Sequence, residues 1–188
     1  GLSLIGPLGS LITSKAKAVV CMPDSGSLNL QLPPRCRILI IGSGAAGLTA
    51  AVMAAEAGIK DIVVLEKEPI VGGSSMISGG QWAVSETELQ RRNGILDTDS
   101  IFYADMLRIG KNRNDPQLVK KLIQVSREQY NWVLEHGVAP LALSAASGMS
   151  RPRAHTFDAV AVMNLLLRMA ARHNIPIITG ARATGLLM

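Results

Sequence analysis

The chain has 188 residues, a net charge of +5 and 48% hydrophobic residues, enough for one domain with a real core. Its basic residues are scattered (Lys120-Lys121, Arg91-Arg92, Arg151 and Arg153) and aromatics make up 3%, so no basic run is interleaved with aromatics and nucleic-acid binding is disfavoured. No apolar run reaches about 18 residues, so nothing is expected to span a membrane. Cys21 and Cys36 form neither a C-x-x-C pair nor a haem or zinc spacing; a disulfide and two free thiols both stay open.

Residues 1–34 differ from the rest and are expected to be an export-signal remnant and linker. Leu2 to Ile12 is moderately apolar but broken by Gly6, Pro7 and Gly9. Ser14-Lys15-Ala16-Lys17-Ala18 then holds an A-x-A cleavage-like triplet. A disordered arm is the competing reading. Pro23 to Pro34 reads as a linker from its Pro, Ser and Gly content. A chain that starts at Gly1 and stops at Met188 behind a strand-like run is expected to be part of a longer protein.

Folded structure is expected from about Arg35, in an α/β arrangement. Arg37 to Ile41 reads as a buried strand, Ala45 to Ala57 as an Ala-rich helix stopped by Gly58, and Asp61 to Glu66 as a second buried strand. Two continuous apolar strands joined by a helix predict a βαβ unit with a parallel sheet. Ile70 to Val84 reads as a long Gly/Ser-rich segment. Helices are expected at Asp99 to Ile109 and at Pro116 to His136, the second with Asp115 as N-cap and Pro116 in its first turn. Ser144 to His155 reads as a loop, Phe157 to His173 as an amphipathic helix, and Ile175 to Leu187 as one or two strands.

Between the first strand and helix, Gly42, Gly44 and Gly47 are spaced G-x-G-x-x-G. Gly42 is expected to allow the tight turn, Gly44 to let a pyrophosphate approach, and Gly47 to permit close helix packing. The helix N-terminus then offers unpaired N–H groups and partial positive charge to phosphates. Glu66 ends the second strand 19 residues after Gly47, where a carboxylate is expected to accept hydrogen bonds from both ribose hydroxyls and to repel a 2′-phosphate, disfavouring NADP. NAD and FAD share the ADP moiety, and the loop physics leaves both open.

The longer pattern separates them. The stretches LEKEPIVGGSSMISGG, GKNRNDPQLVKKL and SRPRAH resemble the flavoprotein subunit of the soluble fumarate reductase, flavocytochrome c and urocanate reductase family, over roughly residues 36–188. The resemblance implies a Rossmann-like FAD-binding domain, of which residues 35–188 are the N-terminal portion; the capping domain and the returning FAD-domain segment are expected beyond this chain. It implies FAD contacts at Gly42, Gly44, Ala46, Gly47, Glu66, Lys67, Ser74, Ser75, Gly79 and Gly80, and an adenine contact from the backbone of Ala183. It further implies a small α,β-unsaturated carboxylate as substrate and an external haem or flavin protein as electron donor. The export-like stretch at residues 14–18 adds an expected periplasmic location, with the cytoplasm as the alternative. The proton-donating arginine and the carboxylate clamp are expected beyond Met188. Rival readings are a 3-ketosteroid dehydrogenase-like flavoprotein and a non-catalytic flavin-binding fragment.

Two departures stand out: Gly79 where relatives often have Ala, and Arg153-Ala154-His155 in place of a Gly-rich loop. His155 is expected to be a surface-loop histidine, with a place at a substrate entrance as the alternative. His136 and His173 read as helix C-terminal residues. Asp97, Asp99 and Asp115 read as caps rather than a metal site, and Met76, Trp82 and Met149 as packing residues.

Overall fold

The computed structural model describes residues 18–23 and 35–187. The expected export motif lies almost wholly outside them. Its last residue, Ala18, opens strand β1 (Ala18–Pro23), an element that the sequence reading did not anticipate before Arg35.

The centre is a parallel sheet of β2 (Ile38–Ile41), β3 (Ile62–Leu65) and β7 (Ile177–Ile178), in the order β2-β3-β7. Helix α1 (Ala45–Glu56) connects β2 to β3, so the expected βαβ unit forms, with Ile38 paired to Ile62 and Ile41 to Leu65. All four residues of β3 are buried, because one sheet face meets α1 and α6 (Ala159–Arg172) and the other meets Ala181. Strand β8 (Ala181–Leu187) pairs antiparallel with β1.

Three short elements in the Gly/Ser-rich segment and beyond it were not expected: α2 (Gly73–Met76), β4 (Gln81–Ala83) and α3 (Glu88–Arg92). The Thr87/Gln90 capping box starts α3. Helix α4 (Asp99–Ile109) has the expected bounds, but its cap is Thr98, whose hydroxyl accepts from the Ile101 amide. Helix α5 (Pro116–Glu135) starts as expected, with Asp115 accepting from the amides of Gln117 and Leu118. His136 and His173 are the C-cap residues of α5 and α6.

The stretch read as a loop over Ser144 to His155 is bounded by strands. β5 (Ala142–Ser144) and β6 (Ala154–Thr156) join β4 in an antiparallel sheet of order β4-β6-β5. Tyr130 packs edge-on against Trp82 and Phe157, which meet each other at a tilt beside this small sheet, with ring centroids 5.7–6.3 Å apart. That aromatic cluster joins it to α5 and α6 within the main core.

Candidate cofactor-binding site

The loop between β2 and α1 runs over the carboxyl end of the parallel sheet, the edge at which open α/β sheets bind their ligands. Gly42 has φ +100° and its amide donates to Leu65 O at 2.7 Å, tying the turn to β3. A Cβ at Gly47 would collide with the Gly42 carbonyl, so only glycine lets the helix close on its own loop. Helix α1 has no side-chain cap and no acidic residue in its first turn. Its first internal bond runs from the Leu48 amide to Gly44 O, and helix geometry leaves the amides of Ala46 and Gly47 without an intrahelical acceptor. Such a terminus fits an anion.

Glu66 is 6% exposed and points back at this loop. Its Oε2 accepts from the Ser43 amide at 2.9 Å and the Ser43 hydroxyl at 2.6 Å, and its Oε1 accepts from the Glu68 amide at 2.9 Å. Burial alone would push the carboxyl up. The hydrogen bonds from the Glu68 amide and Ser43, with the Lys67 amide close by, outweigh it and hold the pKa below the usual carboxylate range. Glu66 therefore stays ionised. Ser43, fully buried, was not among the expected site residues; the one signal that could have found it is its position between two loop glycines.

The α2 segment closes the third side. Gly72 has φ +106°, and its amide donates to Ser43 Oγ at 3.2 Å. Ser75 Oγ accepts from the Ala45 amide at 3.0 Å, so this hydroxyl sits at the N-terminus of α1. Ser74 and Lys67 are exposed, with Lys67 Nζ 3.5 Å from Glu68. Ala183 lies in β8 opposite Cys21, two residues beyond Ala181, whose amide donates to Glu66 O at 2.8 Å.

The two glycines at 79 and 80 part company. Gly79 is exposed, with nothing within 4 Å of a Cβ built on it. Gly80 has φ +66°, and its Cβ would strike Phe157 O, the same backbone it binds through Phe157 N to Gly80 O at 2.9 Å. Gly80 serves the junction of β4 with β6 first. A cavity of about 1090 Å³ opens beside Ala46, Ser75, Gly80 and Trp82, between α1, α5 and α6.

Other candidates move away from the site. His155 is not a surface residue: it is fully buried in β6, opposite Trp82, with Nδ1 2.9 Å from Arg153 O and Nε2 2.9 Å from Thr87 Oγ1. Arg153 is fully buried too and binds Asp97 and Asp105, so Asp97 is an ion-pair partner rather than a cap. Asp99 pairs with Arg127. Arg151 alone of the three stays exposed. Met76 packs on Leu48, Met163 and Leu166. The loop of Met149 docks on α4 through Gly148 and Ser150. Cys36 is free and exposed. Among the described residues no group of three or more His, Cys, Asp or Glu side chains is placed to hold a metal, and no helix is long and apolar enough to cross a membrane.

Comparison with known proteins agrees with this geometry. The family model described as "FAD binding domain" matches residues 37–188. A urocanate reductase of Eggerthella lenta is 39% identical over 100 residues, 53% of this chain and 16% of that protein. A 3-oxosteroid 1-dehydrogenase of Mycobacterium tuberculosis is 33% identical over 113 residues, 60% of this chain and 20% of that protein. The open conformation of a flavocytochrome c3 fumarate reductase superposes with TM-score 0.74 at 27% identity, over 78% of this chain and 27% of the other. The chain spans about a fifth or less of the length of the curated relatives it matches. With the family match over most of its length and the glycine-rich turn, acidic strand end and parallel sheet in place, the chain belongs to the FAD-binding-domain family of flavoproteins, whose cofactor is FAD.

Proposed function

We propose that the chain is the FAD-binding part of a flavoprotein reductase acting on the carbon–carbon double bond of a small α,β-unsaturated carboxylate, of the fumarate or urocanate kind. The supporting observation is the joint likeness to urocanate reductase in sequence and to a fumarate reductase in fold, over a site whose residues fit a dinucleotide. When bound, FAD supplies the hydride. In this reading the amides of Gly44, Ala46 and Gly47 face the pyrophosphate, Ser74 and Ser75 flank it, and Glu66 takes a ribose hydroxyl. The Lys67 backbone and the bare surface at Gly79, with Gly80 beside it, border the rest of the cofactor, and the backbone of Ala183 borders the adenine. No residue of this chain is assigned the proton donation or the carboxylate clamp. Electrons come from an external haem or flavin protein.

A second reading, dehydrogenation of a 3-oxosteroid, draws on the 33% identity to a steroid dehydrogenase and on the apolar cavity beside Trp82. The full-length protein separates the two. A yellow protein that releases FAD on denaturation and oxidises a reduced dye with fumarate or urocanate supports the first reading. Dye reduction by a 3-oxosteroid, without carboxylate turnover, supports the second. A colourless protein overturns both. The Ser14 to Ala18 motif further suggests export to the periplasm, which amino-terminal sequencing of the protein from fractionated cells checks.

A further inference from the structure

We propose that Ser43 is a positioning residue for the cofactor, holding the Glu66 carboxylate and the Gly72 amide through one hydroxyl so that the crevice is set before the dinucleotide enters. The inference rests on the FAD reading above and deepens it.

The hydrogen-bond directions at Ser43 are determined by chemistry. The Gly72 amide, 3.2 Å away, can only donate, so it takes a lone pair of Ser43 Oγ. The hydroxyl proton then goes to Glu66 Oε2, 2.6 Å away, as a short bond to an ionised acceptor. The Ser43 amide donates to the same oxygen. Three segments distant in sequence meet here: the turn after β2, the end of β3 and the N-cap of α2. Ser75, accepting from the Ala45 amide, is a second tie between the first and third of them. Ser43 has no exposed surface, so no water replaces its hydroxyl.

The bonds also restrict what Glu66 can read. A carboxylate offers about four acceptor positions. Ser43 occupies both on Oε2 and the Glu68 amide one on Oε1, leaving about one. Glu66 therefore receives one ribose hydroxyl, at Oε1, rather than the two that its place in the sequence suggested. Ser43 selects which oxygen is left facing the ligand, and a pre-set acceptor lowers the ordering cost of binding.

The test compares wild type, Ser43→Ala, Glu66→Ala and the double variant of the full-length protein, stripped of flavin. Affinities for FAD and for ADP come from titration, and the melting temperature of each apoprotein is the folding control. Ser43→Ala is expected to weaken FAD and ADP alike, each about tenfold, the size of one hydrogen bond to a charged group. In the Glu66→Ala background the same change is expected to cost less than about twofold, because the group it positions is gone. Ser43→Cys keeps a filled site, slightly larger, with a weaker donor and covers the case of an alanine variant that does not fold; the same direction of change is expected. Unchanged FAD affinity in both Ser43 variants overturns the proposal, and so does full additivity of the Ser43 and Glu66 losses, the mark of general loosening. A wild-type protein that binds ADP but not FAD would instead sink the FAD reading and leave the role of Ser43 toward the ADP half measurable.

Discussion

Arg153 and Asp97, both without side-chain exposure, meet in a two-point ion pair, Nε to Oδ2 at 2.9 Å and Nη2 to Oδ1 at 2.8 Å. The third nitrogen, Nη1, reaches Asp105 at 2.6 Å, and the guanidinium lies 4.8 Å from the Phe102 ring. Asp105 also accepts from Ser150 and Arg108; these bonds together with Arg153 override burial and hold its carboxyl far below the usual range. One arginine, the residue just before β6, thus ties the start of that strand to α4 and to the turn before α4.

Removing that arginine strands two buried carboxylates. Arg153→Ala is expected to lower unfolding free energy by about 3–5 kcal/mol, read from urea denaturation of the purified protein. Arg153→Lys should recover little, since an ammonium cannot make the planar two-point contact. A variant as stable as wild type would show that the pair carries no net stability.

His155 supplies a pH dependence. Burial pushes its imidazole below the ordinary 6.5, outweighing the hydrogen bonds that favour the cation. The unfolded chain takes up a proton at about pH 6.5 while the folded chain does not. The unfolded state therefore binds more protons below that pH, and stability falls as pH drops from about 6.5 toward the folded pKa, then levels. Urea midpoints between pH 7.5 and 5 should show this slope in wild type and lose part of it in His155→Gln, which keeps His136 and His173 as internal controls.

Neighbouring glycines should respond differently to alanine. Gly80→Ala combines a positive-φ strain of about 1–3 kcal/mol with a collision at Phe157 O costing about 1–3 kcal/mol more. Gly79→Ala meets open space and is expected to change stability by less than about 0.5 kcal/mol. Thermal melting of the two variants decides it. A flavin effect of Gly79→Ala without a stability effect would assign that surface to the cofactor.

Glu66→Ala should weaken FAD retention by about 1–3 kcal/mol, measured as flavin bound per protein after dialysis. Flavin content equal to wild type would remove Glu66 from the site.

Local chemistry made much of this legible in the sequence. The glycine-rich turn is contiguous with its neighbours, so strand, glycine spacing and Ala-rich helix announce it together. Asp115 and Pro116 place the start of α5, and Thr98 lies one residue from the predicted start of α4, because caps act within three or four residues. An apolar run identified β3, which is covered on both faces and needs no alternation. The same reading found β2 but expected it buried, whereas at the edge of the three-stranded sheet it is only half-buried and Ile41 is exposed. Elements of three residues fared otherwise. β4, β5 and β6 are too short to show a period, and they exist because Trp82 and Leu143 both pair with His155, some 70 and 12 residues away.

That pairing turned Arg153 and His155 inward. A charged side chain in a Gly- and Ser-rich neighbourhood reads as solvated until Asp97 and Asp105, brought by α4 and the turn before it, neutralise it in the interior. Gly80 looks like a ligand surface until Phe157 arrives behind it. Ser43 looks like loop filler until Glu66 and Gly72 converge on its hydroxyl. The sequence by itself determined the βαβ unit, the longer helices and the glycine-rich turn that joins the first strand of that unit to its helix. Only tertiary contact decided which polar groups lie inside, because burying a charge or a hydroxyl is tolerable only where distant partners complete its bonds.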